Sequence, residues 1–171
     1  MKKIILLLIV LVSFSGWAFS QKAPVFKLTK NGIDPVVVNF DKSLTDSVIY
    51  TRVKDWIAAN NKSPKSVTRI DQAYSLVKFS CFKEKAWKIR DNDYDYWSDL
   101  KYTIKVEIKD YKCRLTFATD DDHYKFWFND NGTLKDKFKE SKALYEKTVN
   151  ETLSSLYNYI VAPPKKETSD W

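Results

Sequence analysis

Two neighbouring runs, Lys101 to Lys109 and Lys112 to Ala118, alternate between apolar and polar residues, and no other feature limits this chain so tightly. Tyr102, Ile104, Val106 and Ile108 alternate with Thr103, Lys105 and Glu107, while Cys113, Leu115 and Phe117 alternate with Lys112, Arg114 and Thr116. A period of two puts successive side chains on opposite faces of a strand. Two such runs in succession read as an antiparallel hairpin with one face covered and the other wet. The fold must therefore hold a sheet that needs covering on one side.

Two segments can supply that cover. Val48, Ile49, Val53, Trp56 and Ile57 share one helical stripe between Thr45 and Asn60, preceded by polar N-cap residue types and followed by Pro64. Leu134 to Val161 carries Phe138, Leu144, Tyr145, Val149, Leu153, Leu156 and Ile160, mostly three or four residues apart, and reads as a second, longer amphipathic helix. Pro35 to Phe40 reads as a first strand, and Val67 to Asp71 with Tyr74 to Lys85 as two further strands. Strand, helix, four strands and a closing helix make a two-layer α+β domain over residues 35–162, both helices lying on the one apolar sheet face.

Lys2 and Lys3 precede an unbroken apolar run from Ile4 to Val12, which Ser13, Ser15 and Gly16 interrupt. The run is too short to span a bilayer, which takes about 20 apolar residues, and it has the form of a cleavable secretory leader over residues 1–20. Export to the periplasm or the extracellular space is expected, without a permanent membrane anchor. The first cysteine is Cys81, so no lipid-attachment cysteine follows the leader. Residues 21–34 read as a flexible arm and 163–171 as a disordered tail.

Without Lys2 and Lys3 the formal charge of +7 falls to +5. The lysines are spread along the whole chain and only Arg52, Arg69, Arg90 and Arg114 represent arginine. That distribution reads as a solvated surface, and no nucleic-acid partner is expected. Outside the cell, Cys81 and Cys113 could form a disulfide if their strands were neighbours; otherwise they are small buried hydrophobes.

Little here points to catalysis. His123 is the single histidine, next to Asp120, Asp121 and Asp122, with no Gly-x-Ser-x-Gly elbow or cysteine partner to serve. One histidine and two strand cysteines lack a zinc spacing, and Gly32 and Gly132 cannot build a phosphate-cradling loop. No cofactor is expected. Asp91, Asp93 and Asp95 alternate like calcium ligands, but the sixth and twelfth positions counted from Asp91 are Tyr96 and Tyr102, where such a loop uses Gly and Glu. The same segment concentrates Trp87, Tyr94, Tyr96 and Trp97. These four form a candidate partner-binding loop for an envelope protein, peptide or glycan, or else fold back over the sheet edge as core. Trp127, between Phe126 and Phe128, has the same two readings, with core favoured.

The stretches 47–58 (SVIYTRVKDWIA), 65–71 (KSVTRID) and 102–117 (YTIKVEIKDYKCRLTF) resemble an exported bacterial family catalogued as domain of unknown function 4468, described as having a TBP-like fold. The resemblance covers Val36 to Val161 and implies the β-α-β-β-β-β-α order, export and no assigned activity. The aromatic, acidic segment from Trp87 to Trp97 departs from that family. The functional expectation is a non-catalytic binding or interaction module. An envelope enzyme, which needs a pocket with convergent polar groups, and a structural envelope component are the alternatives.

Overall fold

A computed structural model of the chain describes residues 23–60, 67–70, 75–91, 94–119 and 122–162. Residues 1–20 and 163–171, read above as a leader and a tail, lie outside the described residues. Seven strands and two α-helices are formed among the described residues: β1 (Leu28–Thr29), β2 (Gly32–Ile33), β3 (Val36–Asn39), α1 (Asp46–Asn60), β4 (Val67–Ile70), β5 (Leu76–Asp91), β6 (Tyr94–Lys109), β7 (Lys112–Thr119) and α2 (Lys139–Val161). Short 3-10 turns occupy His123–Trp127 and Asp136–Phe138. After the small β1–β2 hairpin the order is strand, helix, four strands, helix, and the main sheet runs β3-β7-β6-β5-β4 with every pair antiparallel.

Both helices lie on one sheet face. Phe79, Ile104 and Phe117 are opposite one another across β5, β6 and β7, so their side chains share a face. Trp56 of α1 meets Phe79 with ring centroids 5.7 Å apart, and Tyr145 of α2 meets Phe117 at 6.2 Å. The stripes are those that helical spacing demands: Ile49, Val53, Trp56 and Ile57 on α1, and Tyr145, Val149, Leu153, Leu156 and Ile160 on α2, are all buried. Trp56 Nε1 donates to Ser155 Oγ at 3.0 Å, and the Arg52 guanidinium donates to the Ile160 carbonyl, where a cation suits a helix C-terminus.

The β6–β7 hairpin closes through Asp110 and Tyr111, both at positive φ (53° and 61°), the conformation of a two-residue turn whose twist matches its strands. Their backbone N–H groups donate to the two carboxylate oxygens of Asp46 at 3.1 and 2.9 Å, which ties the turn to the start of α1.

Three expectations are corrected and one open choice, the third below, is resolved. Residues 23–34 are no loose arm: Phe26, Leu28 and Ile33 are buried in the core. Asn150 holds Phe26 from both sides, accepting its N–H at 2.8 Å and donating to its carbonyl at 3.0 Å, and Glu146 accepts the Leu28 N–H at 2.6 Å. Second, the closing helix starts at Lys139 and not Leu134, because the turn at Gly132 (φ 81°) brings Leu134 back to bridge Phe128. Third, Cys81 and Cys113 make no bridge. They sit on β5 and β7 with β6 between them, paired to Tyr102 and Ile108 respectively, and both are free thiols. Fourth, the segment from Trp87 to Trp97 is no irregular loop, since β5 runs on to Asp91 and β6 begins at Tyr94.

Candidate functional site at the tip of the long hairpin

Strands β5 and β6 are sixteen residues each, far longer than their neighbours, and their distal ends extend past β4 and β7. The register shifts between Lys83 and Trp87, where Lys85 adopts φ 50° and its N–H donates to the Asp99 carboxylate at 2.9 Å. Such a bulge bends the strand and re-aims the side chains beyond it. Past it, Trp87, Lys88, Ile89 and Arg90 stand opposite Ser98, Trp97, Tyr96 and Asp95 in turn.

The four sequence-predicted aromatic residues part company here. Trp87 is buried, its ring 5.0 Å edge-on from that of Trp127, which in turn stacks on Phe138 at 6.0 Å and meets Tyr145 at 5.9 Å. Trp127 is fully buried, as its core reading requires. Tyr94, Tyr96 and Trp97 are not: they keep 70%, 59% and 48% of their surface in water. Tyr94 and Tyr96 lie on one face of the strand pair and Trp97 on the other, as alternation demands.

A charge cluster lies on the Trp97 face of the strand pair. Lys88, largely buried, donates to Asp95 Oδ2 at 2.8 Å and to Glu140 Oε1 at 2.9 Å, on the first turn of α2. Arg90 grips Asp95 through two donors at 2.9 and 3.3 Å and comes within 4.0 Å of Glu140. The Arg90 and Lys88 donors hold the Asp95 carboxyl down to about 2, and bonding to Asp95 and then Glu140 raises the Lys88 ammonium above its usual value. The same ammonium lies 5.5 Å from the centre of the Trp97 ring, in cation–π range. On the outer edge of β5, Ser141 donates to the Lys88 carbonyl and Thr148 to the Ala86 carbonyl at 3.2 Å. Two α2 hydroxyls thus satisfy strand carbonyls that no neighbouring strand reaches. None of these partners could be read from the sequence, because Ser141 and Thr148 are 53 and 62 residues away from the strand residues they hold, and Glu140 is as remote.

Of the other chemistry-bearing residues, Asp95 belongs to this cluster, whereas Asp122, His123 and Cys81 do not. Asp95, one of the three alternating carboxylates, is committed to Lys88 and Arg90, and Asp93 lies outside the described residues. His123 begins a 3-10 turn with its ring 6.2 Å from Phe126; Asp122 pairs with Lys125 at 2.8 Å, and Asp120 and Asp121 lie outside the described residues. Among the described residues no three His, Cys, Asp or Glu side chains gather as metal ligands. A cleft of about 310 Å³ opens between the end of α1, the middle of α2 and β5, lined by Trp56, Cys81, Tyr102, Thr152 and Ser155 among others. Burial pushes the Cys81 thiol there up to about 11, so it stays protonated at neutral pH and is a poor nucleophile. Tyr102 shares a 2.7 Å hydrogen bond with Thr152.

No family model and no curated protein matches the chain. Among solved structures it is similar to a DUF4468 family protein from Bacteroides ovatus, with 14% of residues identical, 78% of this chain and 88% of that chain covered, and a TM-score of 0.48. That likeness is to the same family, domain of unknown function 4468, that the sequence resembles.

Proposed function

We propose that the protein is an exported, non-catalytic binding module that meets its partner through the tip of the β5–β6 hairpin. The observation that carries this reading is three aromatic rings, Tyr94, Tyr96 and Trp97, held in water on a strand pair that an ion cluster and two α2 hydroxyls fix in place. Flat rings cover a large contact area with few rotatable bonds. A platform ordered in advance loses little entropy on binding, so more of its contact energy appears as affinity. The partner class is an envelope protein, a peptide or a glycan, all of which offer surfaces for aromatic stacking and hydrogen bonding. The short apolar leader segment supports export. The finer fold assignment is TBP-like, on the element order and the placement of both helices on one sheet face; such a fold does not itself confer DNA binding.

The test compares the wild-type protein with a Tyr94→Ala, Tyr96→Ala, Trp97→Ala triple variant and with Phe82→Ala, exposed elsewhere on the sheet. Each is immobilised and presented with envelope extract. The triple variant is expected to lose capture of a partner that the wild type and Phe82→Ala retain, with its melting temperature unchanged. Equal capture by all three refutes the reading, and so does a collapse of stability in the triple variant, which would make the rings core.

A further inference from the structure

The sheet face opposite the helices concentrates charge that looked evenly spread in the sequence. Over the strip from Lys101 to Lys109 and the strands paired with it, that face carries Lys78, Lys101, Lys105, Lys109, Lys112 and Arg114. Against these six cations the same strip presents one carboxylate among the described residues, Glu107, which is bonded to Lys105 at 2.7 Å. Lys78 lies directly opposite Lys105, and Lys109 opposite Lys112. Like charges in paired positions destabilise a sheet, with side chains about 5 Å apart at their Cβ atoms. No element among the described residues covers this face, and Lys78, Lys101, Lys109, Lys112 and Arg114 are exposed. The cations extend along β6 from Lys101 to Lys109, eight rises of 3.4 Å or roughly 27 Å.

From this we infer that the open sheet face is a docking surface for a linear acidic polysaccharide, whose carboxylate, sulfate or phosphate groups neutralise the opposed lysines. Charge complementarity selects a polyanion, and the length of the strip selects an extended one. The rest of the face decides its class. Thr103, Thr116 and Ser80 add hydroxyls between the cations, suited to sugar and acid oxygens. The exposed aromatic rings here, Phe82 at one end and Tyr111 in the turn at the other, stand a strip's length apart, so successive bases of a single-stranded nucleic acid have no continuous stacking platform. This surface is separate from the hairpin tip, and either can fail without the other.

The probe is heparin, a sulfated linear polysaccharide, measured by calorimetry at several salt concentrations. Lys78→Glu, Lys101→Glu, Arg114→Glu is compared with Lys27→Glu, Lys42→Glu, Lys147→Glu, which changes the net charge equally away from the strip. The on-face variant is expected to weaken heparin binding by at least about tenfold and to flatten its salt dependence, as released counterions require. The off-face variant and the tip triple variant should bind as the wild type does. Should the Glu variant lose its fold, Lys78→Gln, Lys101→Gln, Arg114→Gln tests the same face with milder changes. Equal weakening by on-face and off-face variants refutes the inference. So does an absence of heparin binding at low salt, or a preference for duplex DNA or anionic vesicles over heparin.

Discussion

Replacing Trp127 by alanine probes how the hairpin tip is joined to the body of the protein. The indole is fully buried and touches three rings from three elements: Trp87 of β5, Phe138 of the turn before α2, and Tyr145 of α2 itself. Truncating a buried Trp to Ala removes its transfer energy and leaves a cavity, together costing about 3–5 kcal/mol. In a domain of this size each kcal/mol lowers the melting temperature by about 2–4 °C, so the fall should be roughly 6–20 °C. Trp97→Ala is the matched control, since that ring is half in water and its loss should stay within about 1 kcal/mol. Urea denaturation followed by far-ultraviolet circular dichroism measures both. A loss below about 1 kcal/mol for Trp127→Ala, or equal losses for the two tryptophans, would show that the division into buried support and exposed platform is wrong.

Asn150→Ala removes both hydrogen bonds to Phe26 and should cost about 1–2 kcal/mol, with the Phe26 amide losing its protection from hydrogen exchange; an unchanged amide would refute the strap. Asp95 has its carboxyl held below the ordinary value, so the clamp it anchors is complete above about pH 4 and is lost as pH falls toward 2. Carboxyl chemical shifts followed through an acid titration should place that loss, and Asp95→Asn should abolish the step in tip protection over the same window. Both thiols should resist a thiol reagent at pH 8 in the folded state and both should react in urea, because burial pushes Cys81 to about 11 and Cys113 to about 12. A mass two hydrogens short under non-reducing conditions would show that the cysteines are bridged after all.

How far the sequence revealed this arrangement depended on whether the signal was local. Tyr102 to Ile108 and Cys113 to Phe117 are sheltered on one face and wet on the other, so their alternation survives in composition and was legible. The helical stripes of α1 and α2 were legible for the same reason. At Arg90 and from Tyr94 to Trp97 the side chains are exposed on both faces of the strand pair, and Asp95 and Arg90 are held by the charge cluster. The alternation then disappears, the bulge breaks what phase remains, and a strand pair rich in Asp, Asn and Tyr resembles a loop. The burial of the N-terminal segment leaves no local signal because it depends on Asn150 and Glu146, which are 124 and 118 residues away from their partners. The opposition of Lys78 and Lys105 on the open face needed the β5–β6 register, which one-dimensional spacing does not contain.

Hydrogen–deuterium exchange of the free protein, resolved over residues 87–98, tests the central claim most directly. A clamped strand pair predicts that amides such as those of Ile89 and Tyr96, which face each other across the hairpin, exchange orders of magnitude more slowly than exposed chain, and that Glu140→Ala speeds them. Exchange as fast as an unstructured peptide throughout the segment would contradict a platform fixed before its partner arrives.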